Sequence, residues 1–164
     1  LEALRLDPRL SAAHNNMANS LAGMNRLDEA IPHYQEAIKL RPNYAEAYSN
    51  LGAAYYRKGQ MEAAIEQFNQ ALKIQPDNPN AHNNLAMTLG RMGRLEEAIQ
   101  HFREAMRSRP NDPSLHYFLG IALMDAGRLN EAVNHLQESV KLNPDDPQAR
   151  NALASVLEKQ KRPQ

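Results

Sequence analysis

Apolar residues recur along this chain with a period of 34 residues. Alanine marks the period at Ala30, Ala64, Ala98 and Ala132. A proline series has the same period: Pro8, Pro42, Pro76, Pro110 and Pro144. Two series of mostly bulky apolar residues share it, one at Met17, Leu51, Leu85, Leu119 and Leu153 and the other at Leu21, Tyr55, Leu89, Leu123 and Leu157. Four series in one register without an insertion cannot be accidental. A period of this length predicts a repeating unit of two helices and two turns.

The residues between the apolar stretches predict where the helices begin and end. First helices are expected to start after Asn78, Asp112 and Asp146, because each is followed by a proline and this pair is typical of a helix start. Their ends are expected at residues that tolerate the left-handed conformation: Asn25, Gly59, Gly93 and Gly127. Second helices are expected to start near Asp28, Glu62, Glu96 and Asn130.

Small residues recur where the two helices of a unit would lie close together. On the first helix these are Ala18, Gly52, Ala86, Gly120 and Ala154, and on the second helix they are the periodic alanines. Tyr34, Phe68 and Phe102 are then expected to fill the space between the helices. Since one hairpin cannot bury both of its faces, neighbouring hairpins are expected to stack.

One unit carries a known repeat pattern almost completely: Tyr48, Leu51, Gly52 and Tyr55, then Ala64, Phe68, Ala71 and Pro76. On these residues the chain resembles the tetratricopeptide repeat family along its whole length. The other units differ mainly at His14, His82, His116, Leu136 and Ser139. The resemblance implies an all-α fold, a right-handed superhelical solenoid of antiparallel helix hairpins, with the first helices lining its concave surface.

The repeat register divides the chain into one array. Residues 1–10 are expected to end a preceding helix, and residues 147–164 to form a C-terminal capping helix and tail. Four full repeats lie between them, at 11–44, 45–78, 79–112 and 113–146. Because the register begins within a helix, the sequence is expected to be a fragment of a longer protein.

The resemblance places a peptide-binding groove on the first helices. The candidate groove residues are Asn16, Asn19, Asn50, Tyr56, Arg57, Asn84, Met87, Arg91, Tyr117, Phe118, Ile121 and Met124. Asn15 belongs to the same set of expected groove positions. A partner protein or peptide of unknown identity is the expected ligand.

Asn16, Asn50 and Asn84 occupy one equivalent position and form a candidate asparagine ladder. A primary amide has two donors and a carbonyl acceptor, so it can pair with a peptide backbone of any sequence. The ladder resembles that in the repeat domain of the O-linked N-acetylglucosamine transferase. The alternative is that these amides are solvated or bonded between repeats.

Repeat 4 interrupts the ladder with an aromatic and apolar set. Phe118 stands at the ladder position, next to Tyr117, and Ile121 and Met124 follow one and two turns later. Together with Met87 they predict an apolar end of the groove, since an exposed apolar patch usually marks an interaction site. The alternative is that a neighbouring helix covers the patch. A chaperone-tail site is not predicted, because the expected lysine and arginine positions are occupied by asparagines.

Composition and charge narrow the function classes. Lys plus Arg and Asp plus Glu number 19 each, so no long-range field favours nucleic acid or an anionic membrane. The absence of cysteine excludes disulfides and thiol chemistry. No apolar stretch is long enough to insert into a membrane. The compartment stays open, with cytoplasm favoured over periplasm.

The six histidines fall at two repeat positions: His14, His82 and His116, and His33, His101 and His135. Zinc would need three or four ligands at one point, whereas each repeat supplies a pair. We therefore expect partly buried, hydrogen-bonded histidines, no metal and no cofactor. The acidic residues lie at helix starts and turns, so no catalytic arrangement is predicted.

The sequence thus predicts a protein-binding scaffold or recruiting arm, not an enzyme. The alternative is a structural spacer or an element that self-associates through its ends, where Leu1, Leu4 and Leu6 are the candidate contacts. A parent protein with an attached enzyme or membrane domain is a further reading of the same pattern.

Overall fold

The computed structural model describes residues 8–161, and within that range the chain is all-helical, without strands. The nine helices there are α1 (Pro8–Gly23), α2 (Leu27–Leu40), α3 (Ala45–Arg57), α4 (Met61–Ile74), α5 (Pro79–Arg91), α6 (Leu95–Ser108), α7 (Pro113–Asp125), α8 (Leu129–Leu142) and α9 (Pro147–Lys161). The side chains of Pro8 and Arg9 are not described. Two helices per 34 residues is the arrangement that the periodicity predicted.

The chain divides within α5 into two compact units, Leu1–Asn84 and Leu85–Gln164. In the first unit α1 packs against α2, α2 against α3, and α3 against α4. In the second unit α6 packs against α7, α7 against α8, and α8 against α9. Connections of three or four residues join the helices, so consecutive helices run antiparallel.

The first helices start at the predicted caps. The side chain of Asp112 accepts hydrogen bonds from the amides of Ser114 (2.9 Å) and Leu115 (3.3 Å). Asn78 does the same for two amides of α5, and Asp146 for the amide of Gln148. These bonds satisfy amides that the first turn of a helix leaves without a partner.

The predicted helix ends are confirmed as well. The φ angles of Asn25, Gly59, Gly93 and Gly127 are 61°, 77°, 75° and 75°. A positive φ turns the chain out of the helix, and glycine adopts it without steric cost.

The second helices begin one residue earlier than predicted, at Leu27, Met61, Leu95 and Leu129, and their starts have no side-chain cap. Acidic residues of the first turn stabilise these ends through the helix dipole instead. In three of the four helices the residue before the start is an arginine that pairs with this acid: Arg26 with Glu29, Arg94 with Glu97, and Arg128 with Glu131.

The N-terminal boundary differs from the predicted one. Residues 8–10 were expected to end a preceding helix, yet they form the first turn of α1. Proline is well tolerated at the first position of a helix because its missing amide is not needed there. Helix α1 can therefore start at Pro8, three residues before the repeat register. Residues 1–7 lie outside the described residues.

Close packing within a hairpin depends on the predicted small residues. A Cβ atom added to Gly52 would lie 2.6 Å from the Phe68 ring, and one added to Gly120 would lie 2.6 Å from Cγ of Leu136. Ala18 and Ala86 are fully buried at the equivalent position. The fifth member, Ala154, is exposed, because α9 packs through Ala149, Ala152 and Val156 instead.

The core of the first unit joins three helices. Leu21 of α1, Tyr34 of α2 and Leu51 of α3 belong to one buried cluster. The second helix of one repeat thus shares its core with the first helix of the next. In the described range no helix has the length and apolar character to cross a membrane.

Substitution of Gly120 tests the close approach of α7 and α8. Gly120→Ala is expected to lower the free energy of unfolding by about 1–3 kcal/mol, because the new methyl group collides with the branched side chain of Leu136. Denaturant titration measures the change. Gly23→Ala is the control: a Cβ at Gly23 meets nothing within 4 Å, so its effect should be neutral or stabilising. Equal stability of Gly120→Ala and the unmodified chain would contradict the packing argument.

Candidate functional site

A polar cluster around the buried Asn15 links α1 to α3 in the first unit. Asn15 is fully buried, although it was expected to face the groove. Its amide nitrogen donates to the hydroxyl of Tyr44 (3.4 Å) and to Oε1 of Glu46 (3.3 Å), and its oxygen accepts from Nδ2 of Asn50 (3.1 Å). Every hydrogen-bonding atom of this amide is therefore used inside the protein, so Asn15 connects two repeats and is not a groove residue.

The three asparagines of the candidate ladder lie in different surroundings. Asn16 is exposed, and Asn50 and Asn84 are half-buried. Asn50 donates to Asn15, while the oxygen of Asn84 lies 3.5 Å from the amide nitrogen of Asn83. Asn50 thus forms a hydrogen bond between repeats, which is the alternative that the sequence left open.

Asn19 and Arg57 also hold the first unit together. The buried Tyr34 donates its hydroxyl hydrogen to Oδ1 of Asn19 at 2.7 Å. Arg57 donates to the carbonyl oxygen of Ala22 (2.8 Å) and to Oδ1 of Asn25 (3.0 Å), at the C-terminal end of α1. A cation there is favoured by the helix dipole. Tyr56 is half-buried beside Arg57 on α3.

Helix α7 of the second unit is apolar on more than one side. Leu115, Leu119 and Leu123 are 2%, 0% and 0% exposed and fill the core. Four further aromatic or apolar side chains of the same helix remain half-buried: Tyr117, Phe118, Ile121 and Met124. A helix that is apolar all round has more apolar surface than one core face needs.

Phe118 is anchored on the preceding helix. Its ring stacks on Phe102 of α6, with centroids 6.3 Å apart and planes 9° apart, and Tyr117 meets it edge-on at 5.1 Å. Tyr117, Ile121 and Met124 stand one turn apart along α7. Met87 and Arg91 lie on α5, where Met87 is half-buried and Arg91 is exposed.

In two of the hairpins, a pair of histidines forms a hydrogen bond between the two helices. The Nδ1 atoms of His14 and His33 are 3.0 Å apart, and those of His116 and His135 are 3.1 Å apart. Nε2 of His116 lies 2.9 Å from the carbonyl oxygen of Pro110, which can only accept. In the neutral pair, His116 therefore donates through Nε2 and accepts at Nδ1 from His135.

Burial lowers the pKa of His135, and the nearby His116 and Arg103 lower it further, while Glu131 acts in the opposite direction.

Across residues 8–161, no three histidine or acidic side chains converge in a way that would hold a metal ion. The charged side chains mainly form exposed pairs such as Lys141 with Glu138, which contribute little to stability.

The buried cluster around Asn15 was missed from the sequence. The available signal was Tyr44, which stands where other repeats have the caps Asn78, Asp112 and Asp146. A tyrosine at that position cannot cap the helix through a short side-chain oxygen. Its hydroxyl instead accepts a hydrogen bond from the side-chain amide of Asn15 on α1.

Family and structural comparisons agree with the helical repeat. The model of the family described as the cilia and flagella-associated protein 70 C-terminal domain, a TPR domain, matches residues 2–164. No curated protein matches the chain.

Solved structures share the fold at low identity. MamA from Desulfovibrio magneticus RS-1 superposes with a TM-score of 0.86 at 19% identity, covering 92% of this chain and 85% of that one. PilF of Pseudomonas aeruginosa gives 0.85 at 21% identity, covering 93% and 70%. YrrB, described as a TPR protein with an unusual peptide-binding site, gives 0.79 at 24% identity, covering 90% and 76%. These likenesses show a tetratricopeptide-repeat solenoid fold.

Substitution of Asn15 tests the structural role of the buried amide. Asn15→Ala is expected to lower the free energy of unfolding by about 1–3 kcal/mol, because the hydrogen bonds of the buried Asn15 amide to Tyr44, Glu46 and Asn50 are lost. The neighbouring Asn16→Ala is the control and should change stability by less than about 0.5 kcal/mol, since Asn16 is exposed. Denaturant titration measures the free energy of unfolding of both variants. Equal losses in the two variants would refute the structural role of the Asn15 hydrogen bonds.

The lowered pKa of His135 predicts a pH dependence of stability. The unfolded chain binds a proton at His135 near the ordinary value of 6.5, before the folded chain does. Stability is thus complete above that value, decreases as pH falls towards the lower folded pKa, and levels off below it. Comparing unfolding free energies on both sides of pH 6.5, His135→Gln should lose less stability on acidification than the unmodified chain. An equal loss in both would show that His135 is not the responsible group.

Proposed function

The chain belongs to the family of the cilia and flagella-associated protein 70 C-terminal domain, and we propose that it is a protein-interaction module that binds a peptide segment along its first helices. The observation that carries the proposal is the apolar excess of α7. Three leucines of this helix fill the core, and four more aromatic or apolar side chains stay half-buried beside them. Soluble proteins seldom leave such a set uncovered except at an interaction site.

The chemistry of α7 fits an apolar side chain of a ligand. Tyr117, Ile121 and Met124 offer aromatic, branched and flexible surfaces on successive turns, and methionine adapts to irregular partners. The stack between Phe118 and Phe102 fixes Phe118 before a ligand arrives, so less conformational entropy is lost on binding.

The polar first helices of the other unit fit a peptide backbone. Asn16 is exposed and presents both donors and an acceptor, and Asn50 and Asn84 are half-buried. Since Asn50 already donates to Asn15, its carbonyl oxygen is the atom we assign to an amide of the ligand. The neighbour YrrB, described as having a peptide-binding site, supports a peptide as the ligand class.

The module is proposed as a scaffold or recruiting arm without catalysis, cofactor or nucleic-acid ligand. Its equal numbers of acidic and basic residues favour recognition by shape and hydrogen bonding over charge. The candidate self-association contacts Leu1, Leu4 and Leu6 lie outside the described residues. The alternative function, a structural spacer or a self-associating element, is therefore left to the binding experiment below.

Peptide selection followed by substitution tests the proposal. The purified chain is screened against a phage-displayed library of random linear peptides, and a selected peptide is titrated by fluorescence anisotropy. Ile121→Asp is expected to raise its Kd by about tenfold or more, because a charge replaces buried apolar contact. Ile121 is preferred to Phe118, whose ring also supports α6.

Two comparisons make that result decisive. Gln137→Asp places the same charge at an exposed position of α8 and should leave the Kd unchanged. An unchanged Kd in Ile121→Asp would remove α7 from the binding surface. If the folded chain selects no peptide at all, the proposal fails, and mass measurements over a range of concentrations then decide between spacer and self-association.

A further inference from the structure

Helix α7 ends in an acidic residue, which no other first helix carries at that position. Asp125 is the last residue of α7, and the equivalent residues are Gly23 on α1, Arg57 on α3, Arg91 on α5 and Lys159 on α9. The C-terminal end of a helix has a partial negative charge, so a cation there is stabilising and an anion is not. The carboxylate of Asp125 therefore opposes the local electrostatics.

The exposure of Asp125 belongs to the repeat position and not to either end of the chain. Arg57 and Arg91 hold this position between other repeats, and both are exposed as well. Arg128, three residues after Asp125, is used elsewhere, because it pairs with two glutamates of its own unit at 2.7 and 3.1 Å. Within residues 8–161, no hydrogen bond or ion pair engages the Asp125 carboxylate.

The first unit shows that this end of a first helix can hold a guanidinium group. The carbonyl oxygen of Ala22, near the end of α1, accepts hydrogen bonds from the amide of Asn25 at 3.0 Å and from Arg57 at 2.8 Å. Met124 occupies the position of Ala22 on α7, and its carbonyl oxygen likewise accepts from the amide of Gly127 at 3.1 Å. The end of α7 therefore has the same carbonyl acceptor.

The residue that corresponds to Arg57 does not fill this place on α7. It is Lys159 of α9, which is exposed and, in the part of the chain that the structure describes, bonds neither to the Met124 carbonyl nor to Asp125. The end of α7 thus combines a carbonyl oxygen with a carboxylate, and both groups only accept hydrogen bonds. A cationic hydrogen-bond donor is the ligand chemistry that this combination fits.

Asp125 also lies in line with the apolar surface proposed to bind a peptide. Tyr117, Ile121 and Asp125 follow one another at intervals of four residues, which places them on one face of α7 with Cβ atoms about 5–6 Å apart. Tyr117 and Ile121 are half-buried, and Asp125 is exposed. Since arginine and lysine have an apolar stem below a charged end, one such side chain can lie on Ile121 and reach Asp125.

We propose that Asp125 is a specificity-determining residue, which selects a lysine or arginine of the peptide beside the apolar residue that α7 binds. This inference rests on the proposed function and names the ligand class of the same surface, a linear peptide in which an apolar and a basic residue are neighbours. Arginine fits better than lysine, because its planar guanidinium bonds to a carboxylate and a second acceptor at once. An exposed pair of this kind contributes more to selectivity than to affinity.

Paired peptide selections test the role of Asp125. One phage-displayed library of random linear peptides is selected on the unmodified chain and on Asp125→Lys. Peptides from the unmodified chain are expected to be enriched in arginine and lysine beside an apolar residue, and peptides from Asp125→Lys to lose this enrichment. A peptide selected on the unmodified chain is then titrated by fluorescence anisotropy. Asp125→Asn is expected to raise its Kd about two- to fivefold, the range of an exposed ion pair.

Three controls assign that effect to the ion pair. Replacing the basic residue of the peptide with glutamine should abolish the difference in Kd between the unmodified chain and Asp125→Asn. Asp145→Asn removes the same charge at an exposed position between α8 and α9 and should leave the Kd unchanged. Asp125→Asn should unfold at an equal or higher denaturant concentration than the unmodified chain, because it removes a carboxylate from the negative end of a helix.

The outcomes distinguish this inference from the proposed function. Peptides whose binding depends on Ile121 but which show no enrichment of basic residues would overturn the role of Asp125 and leave the peptide-binding proposal standing. An unchanged Kd in Asp125→Asn, or an equal effect of Asp145→Asn, would do the same. Selection of no peptide by the folded chain would refute the peptide-binding proposal, and the role of Asp125 with it.

Discussion

The close approach of the two helices in each hairpin is the constraint on which the rest of the structure depends. At Gly52 and Gly120 there is no room for a single added carbon, because Phe68 and Leu136 occupy that space. A bulky residue opposite a small one lets two helices share a dry interface. The constraint recurs every 34 residues, which explains why alanine and glycine keep the register so strictly.

A hairpin formed in this way still has uncovered apolar surface. Leu51 is buried only because the core of the first unit includes residues of α2 from the preceding repeat. Hydrogen bonds add to this packing. Asn15 bonds to Glu46 and Asn50 of the following repeat and to Tyr44 just before it, and Arg57 bonds to the carbonyl oxygen of Ala22 near the end of α1. Stability is therefore distributed over repeats and over the interfaces between neighbouring helices.

The same arrangement gives residues of one type different surroundings. Asn15 and Asn16 are neighbours in sequence, yet one is fully buried and the other exposed. On α7 the core leucines alternate with side chains that remain half-buried. The same repeat position can therefore be buried in one repeat and exposed or half-buried in another.

The sequence by itself determined the helix pairs, their caps and the small residues at their contacts. These features depend on local chemistry that repeats: an Asp before proline caps a helix, and glycine adopts a positive φ. It did not determine that α1 starts at Pro8, or that Asn15 is buried and bonded to Tyr44 and Glu46 while Asn16 is exposed. Only the tertiary structure decided these points. The contacts of a given side chain depend on residues about 30 positions away. The 34-residue period implies that such residues approach each other, but it does not determine which atoms come into contact.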